Sequence, residues 1–252
     1  MRERFAQIET PDGRMEAFVT HPKDGGPFPA VIIYMDVFGL REELFDIARR
    51  IGTVGYYVIV PDFYYREGRV RVSLPEKSRG WGLATLGPEV EKKVRAAGAA
   101  LTNGMVVRDT EAALKFLSGE RVKQAKGAIG FCMGGRHAIC AAGHFPDDFQ
   151  ATASLHGSTL VSEAADSPHL LANKFRGEIY CGFPEDDPLA PTSTIQTLAE
   201  VLGHAPVEYR YERHKNAIHG YALPDRDVHH KQAANRDWEM IFAMFRRQIP
   251  AE

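Results

Sequence analysis

The stretch KGAIGFCMGGRHAICAA, Lys126 to Ala142, decides how the rest of the chain is read. An apolar pair, Ala128-Ile129, runs into Gly130-Phe131-Cys132-Met133-Gly134-Gly135 and then into a helical pattern. This is G-x-C-x-G, the strand-to-helix elbow G-x-S-x-G with sulfur in place of the serine oxygen. A strand that reverses at once into a helix leaves its central residue strained and its side chain projecting. Gly130 and Gly134 remove the Cβ atoms that would collide where the two backbones meet. Cys132 then falls at a helix N-terminus, where a partial positive charge of roughly half a unit favours a thiolate. A glycine-rich turn holding an inert buried cysteine would share the same pentapeptide, so the flanking chain has to separate the two.

Outward from the elbow, short apolar runs alternate with helical patterns. Pro29 to Tyr34 (PAVIIY) and Tyr57 to Val60 are continuous apolar runs, the signature of strands covered on both faces. Between them Arg41 to Val54 repeats apolar residues at helical spacing, through Leu44, Ile47, Ala48 and Ile51. Downstream, strands are predicted at 150–155, 177–181 and 206–211, helices at 192–202 and 228–247, and loops at 182–191 and 213–225. Upstream, Glu3–Glu9 and Met15–His21 flank the turn Pro11-Asp12-Gly13 and predict an antiparallel hairpin. Two helices, 89–101 and 105–117, are expected to hinge at Asn103-Gly104. The pattern is α/β: a mostly parallel central sheet with helices on both faces and an N-terminal antiparallel hairpin.

The chain of 252 residues, 44% of them hydrophobic, is long enough for one large core, and no linker or repeat divides it. A single domain over 1–252 is expected, with an irregular pocket-covering segment at about 62–88. A net charge of −2 gives no support to nucleic acid or an anionic membrane as partner. The first residues carry charges where a signal peptide has its apolar core. With three cysteines and no C-x-x-C, this predicts a reducing, cytoplasmic setting. Cys140 and Cys181 read as core thiols.

In such sheets ligands bind at the carboxyl ends of the strands, so partners of Cys132 belong in the loops that follow strands. Acyl transfer by a thiol needs a base, an acid to orient it and donors for an oxyanion. On this architecture the chain order is nucleophile, acid, base. After the strand at 177–181 comes Glu185-Asp186-Asp187-Pro188, in which Asp187, fixed by the following proline, is preferred over Asp186. After the strand at 206–211 comes Ala217-Ile218-His219-Gly220-Tyr221. His219, flanked by apolar residues, is preferred over His214, which sits between Arg213 and Lys215 and reads as solvated. The backbone N–H groups of Val37 and Met133 are the oxyanion candidates by position. Asp36 falls near the thiol, although a cap for the following helix would also use it. His156, at the end of another strand, is a candidate substrate contact. The irregular segment supplies Tyr64, Tyr65, Arg66, Arg69, Arg71, Arg79 and Trp81 as candidates for the pocket mouth, although loop arginines are more often simply solvated.

The motifs Tyr34-Met35-Asp36-Val37-Phe38-Gly39, Gly130 to Gly135, Asp187-Pro188-Leu189-Ala190-Pro191 and His219-Gly220-Tyr221 fall in the order of the dienelactone hydrolase family, which the chain resembles over nearly its whole length. The resemblance implies an α/β-hydrolase fold, a Cys-His-Asp triad and hydrolysis of a lactone or ester through a thioester, with no metal and no organic cofactor. It implies a small-molecule ester or lactone as partner, with a second copy of the chain as the candidate protein partner. It places Asp36, Arg79 and Tyr221 near nucleophile or substrate, while His156 is within reach by loop position alone, where a structural role at the strand end competes with substrate contact. Two positions depart from the family. Its characterised lactonases carry Glu where this chain has Asp36, and an arginine where it has Leu223.

Three other readings have a discriminating feature. A silent scaffold that binds or senses a small molecule would turn over no ester yet be stabilised by a ligand. A redox role for Cys132 would need a resolving thiol, and Cys140 lies two helical turns deeper. A metal site is disfavoured because His229-His230 are adjacent and point apart on a helix.

Overall fold

A computed structural model describes residues 1–68, 70–72, 74 and 86–251. Eight strands form one sheet in the order β1-β2-β4-β3-β5-β6-β7-β8. The predicted hairpin is β1 (Arg2–Thr10) and β2 (Gly13–His21), antiparallel from Arg2↔His21 to Thr10↔Gly13. It joins the sheet through β2, which runs antiparallel to β4 (Tyr57–Pro61). From β4 through β3 (Phe28–Tyr34), β5 (Val122–Phe131), β6 (Phe149–Leu155), β7 (Glu178–Asp186) and β8 (Glu208–Ile218), every pairing is parallel.

Parallel neighbours need crossovers, and the helices in them are α1 (Glu42–Gly52), α2 (Pro88–Ala100), α3 (Asn103–Ser118), α4 (Met133–His144) and α5 (Thr192–Gly203), while α6 (Lys231–Gln248) follows the last strand. α1 and α6 meet on one face, where the Arg50 guanidinium lies 4.6 Å from the Trp238 ring centre. α3 and α4 pack together on the other. The run Ala30–Tyr34 is buried throughout because it is covered from both sides. Each such aliphatic side chain contributes roughly 1.5–3 kcal/mol relative to an exposed one. No helix among the described residues is long and apolar enough to cross a membrane.

Three predicted boundaries move, each for a local reason. β7 continues to Asp186 and β8 to Ile218, so the loops expected at 182–191 and 213–225 are shorter. The two strands pair along that extension, from Phe183↔Arg213 to Asp186↔Ile218. β8 is the edge of the sheet, so it can carry Glu212, Arg213 and Lys215 where an interior strand could not. α6 starts at Lys231 because the His230 ring accepts a hydrogen bond from the Ala233 N–H, at 3.2 Å, and caps it.

The irregular segment is described only in part. Tyr65–Glu67 form one 3-10 turn. Arg66 pairs with Asp12 and Asp109, and Arg71 with Asp62 and Glu16, so these two arginines are structural ties rather than solvated charges. Arg69, Arg79 and Trp81, and with them most of the predicted pocket cover, lie outside the described residues.

Candidate active site

From β3 the chain crosses to β4 on one side, and from β5 it crosses to β6 on the other, which opens a crevice at the carboxyl ends of β3 and β5. The elbow sits there. Cys132 adopts φ 54° and ψ −119°, a left-handed conformation at the junction of β5 and α4. Its backbone is tied on both sides: its N–H donates to the Leu155 carbonyl at 3.1 Å, and its carbonyl accepts from Gly135 at 3.0 Å and Ser158 at 3.1 Å. A Cβ on Gly130 would lie 1.9 Å from the Gly134 carbonyl oxygen, and one on Gly134 would lie 2.2 Å from that of Tyr34. The two glycines therefore allow three backbones to touch at the bend. The thiol of Cys132 is partly exposed, whereas Cys140 and Cys181 are buried, and burial pushes both of those up to about 12.

The ends of β7 and β8 bring the acid and the imidazole together. His219 Nδ1–H donates to Asp187 Oδ2 at 2.8 Å, and Asp187 Oδ1 accepts from the Leu189 N–H at 2.9 Å. Both residues are 4% exposed, while Asp186 is on the surface. Burial alone would lower the basicity of His219. The negative charge of Cys132 and the hydrogen bond to Asp187 outweigh it and push the imidazole up to about 10. The sulfur and the carboxylate thus both favour the protonated imidazole of His219.

A cavity of about 460 Å³ opens over this group, and Cys132, His219, Val37, Met133, Asp36 and His156 all line it. His214, the rejected base, is not solvated. It is 7% exposed and its Nε2 lies 2.6 Å from Asp237 Oδ1, because β8 turns this side chain inward toward α6. Tyr221 does not line the cavity. Its hydroxyl donates to Asp237 Oδ2 at 2.6 Å, and its ring packs behind His156.

Asp36 does not cap α1, whose first flanking residue is Arg41. Both Asp36 oxygens instead receive the Arg41 guanidinium, Oδ1 from Nη1 at 2.7 Å and Oδ2 from Nη2 at 3.0 Å, and Oδ1 also accepts from the Phe38 N–H at 3.1 Å. The other edge of Arg41 holds Asp225. Burial works against the charge of Arg41, but Asp36 and Asp225 raise its pKa above the usual arginine value.

Sequence reasoning missed two arginines that line the cavity. Arg95 projects from α2, and Arg226 lies 4.4 Å from the centre of the Phe38 ring. Arg226 is 5% exposed and seven positions beyond His219, past the Leu223 that marks the family's arginine position. The run Asp225-Arg226-Asp227, charged yet directly after the apolar Tyr221-Ala222-Leu223, was the available signal.

A mostly parallel eight-stranded sheet with helices on both faces and a nucleophile-type elbow after a central strand is that of an α/β-hydrolase. Solved structures agree on the fold. One is a provisionally named dienelactone hydrolase from Klebsiella pneumoniae, with TM-score 0.82 and 22% identity over 97% of this chain and 98% of that one. Another is Est1E from Butyrivibrio proteoclasticus, with TM-score 0.67 and 11% identity over 96% and 98%. The dienelactone hydrolase family model matches residues 15–249, and the chain belongs to that family. Curated relatives include a provisionally named carboxymethylenebutenolidase of Methylorubrum extorquens. It is 26% identical over 246 residues, covering 96% of this chain and 79% of the relative. One so named from Synechocystis is 24% identical over 241 residues, covering 94% and 93%. The chain is a dienelactone hydrolase-like hydrolase of the ester and lactone class.

Proposed function

We propose that the chain hydrolyses a lactone or carboxylic ester through Cys132, His219 and Asp187, by way of a thioester. The observation that carries this reading is the imidazole of His219, hydrogen-bonded to buried Asp187 at 2.8 Å and lining one cavity with Cys132.

The Cys132 thiolate attacks the carbonyl carbon, and the charge moves to the carbonyl oxygen. The N–H groups of Met133 and Val37, on the cavity wall beside the sulfur, receive that oxyanion. As the intermediate collapses, the C–O bond breaks and the His219 imidazolium gives its proton to the departing alkoxide. The neutral imidazole then takes a proton from water as the water attacks the thioester. The C–S bond breaks, the carboxylic acid leaves, and thiolate and imidazolium are restored. Asp187 holds the His219 tautomer and stabilises its cation throughout. Asp36 has both oxygens on Arg41, so in this reading it braces the oxyanion loop, and the resting sulfur is partnered by His219.

The test is mass spectrometry of the protein after exposure to a panel of lactones and activated esters. Wild type should turn over part of the panel, and Cys132→Ser should keep its fold and lose most turnover. In His219→Ala an acyl adduct should accumulate on the Cys132 peptide. Undiminished turnover in Cys132→Ser would dismiss the sulfur as nucleophile. No turnover on the whole panel, with a melting temperature raised by one of its members, would favour a silent binding scaffold.

A further inference from the structure

His156 lines the cavity yet is wholly buried, at 0% exposure, and neither of its ring nitrogens has a hydrogen-bond partner among the described residues. Its backbone sits at φ 39°, in the left-handed region, and its N–H is anchored on the Gly182 carbonyl at 2.8 Å. The ring is wedged edge-on between two others, its centre 5.0 Å from that of His219 and 5.5 Å from that of Tyr221. A side chain held this firmly, with two polar atoms left unsatisfied, is costly to the fold unless something in the cavity meets them.

Its charge state narrows what that something is. Burial holds the imidazole well below its usual range, and His219, Arg226 and Arg41 push in the same direction. The ring is therefore neutral, with one N–H donor and one bare nitrogen acceptor. A carboxylate or phosphate could satisfy only the donor. A hydroxyl both donates and accepts, so it suits whichever nitrogen faces the cavity. The closeness of the His219 ring keeps such a hydroxyl within a few bonds of the carbonyl under attack.

We infer that His156 is a specificity-determining residue that reads a hydroxyl group carried next to the scissile carbonyl, so that the preferred substrates are hydroxylated lactones or hydroxy-acid esters. This rests on the hydrolytic reading above. A site built to bond a hydroxyl discriminates strongly against an analogue that lacks it, because the buried polar group is then left unpaired.

The experiment compares γ-butyrolactones that carry a hydroxyl or an isosteric methyl at the α or β carbon. The hydroxyl-to-methyl ratio of kcat/KM is divided by the same ratio for hydroxide-catalysed hydrolysis in buffer, which removes the inductive effect. For at least one ring position the wild-type quotient should be about tenfold or more, the scale expected when a substrate group satisfies a buried partner. His156→Phe, which keeps a flat ring without polar atoms, should bring the quotient down to about one. His156→Asn tolerates positive φ and retains a donor and an acceptor, so it should keep more of the preference than the phenylalanine variant. A wild-type quotient near one at both positions, with turnover that depends on Cys132, overturns the role of His156 and leaves the hydrolase reading standing. So does a quotient that survives unchanged in His156→Phe. Absence of any Cys132-dependent turnover overturns the hydrolase reading itself, and this inference with it.

Discussion

At the scale of single residues, the site is governed by one imidazole caught between a carboxylate and a sulfur. His219 stands at about 10, well above the ordinary imidazole value of roughly 6.5. A group raised in the folded state stabilises that state fully below its unfolded pKa, and the contribution fades as pH climbs through the folded one. The window is therefore from about 6.5 to about 10, with stability lost toward alkali. On the proposed mechanism activity should have the same upper edge, because the leaving alkoxide would need the imidazolium proton. The pH profile of kcat/KM should fall on its alkaline side near pH 10. Asp187→Asn removes one of the upward pushes, so that edge should move to lower pH while kcat/KM drops by on the order of 10⁴. A profile whose edge stays in place in the variant would detach Asp187 from His219. The sequence made much of this group legible, because Cys132, Asp187 and His219 each follow a strand in the expected chain order. The partners of Asp36 were not legible. Arg41 reads as the start of an amphipathic helix, and nothing in the order of residues says that it turns back to Asp36. The unsatisfied nitrogens of His156 were equally hidden, since they depend on how residues distant in sequence pack around the ring.

At the scale of elements, the elbow shows why sequence pattern and geometry agree so closely there. The bend brings β5, α4 and β3 to atomic contact, so the types of Gly130 and Gly134 are dictated by space alone. Gly134→Ala should destabilise the protein by about 3 kcal/mol or more, at the upper end of overpacking penalties because the obstacle is backbone. Gly104 is a contrasting helical glycine, with nothing within 4 Å of a Cβ built on it. Gly104→Ala should be neutral or stabilising, by up to ~1 kcal/mol. Urea unfolding midpoints of the two variants measure the difference, and similar values would contradict this account of the bend. Other elements were harder to read. β8 extends to Ile218 through Arg213, His214, Lys215 and Asn216, a polar run that resembles a loop. Its strand character comes from pairing with β7 at the sheet edge, where one side faces water and hydrophobic alternation is not required.

At the scale of the whole molecule, the loop that carries His219 is held by a hub that does not itself line the cavity. Asp237 is completely buried on α6 and receives three groups: the Tyr180 hydroxyl from β7, the Tyr221 hydroxyl from the His219 loop, and the His214 ring from β8, each at 2.6 Å. One carboxylate thereby fastens the terminal helix to the two strands that deliver acid and base. Asp237→Ala would leave two hydroxyls and an imidazole buried without their partner. At about 1–3 kcal/mol for each unsatisfied group, the total loss should be at least about 3 kcal/mol. Tyr221→Phe removes one spoke and leaves the others intact, so it should cost only about 1 kcal/mol. The Tyr221 ring also backs His156, which in turn packs on His219, so its substitution tests positional coupling. Urea unfolding of both variants, with kcat measured well below their midpoints, separates the two effects. The hub should act mainly on stability in Asp237→Ala, with kcat falling further as the His219 loop loosens. A fully stable Asp237→Ala protein would mean that the sheet and α6 hold together without this carboxylate, and that the position of His219 does not depend on the hub.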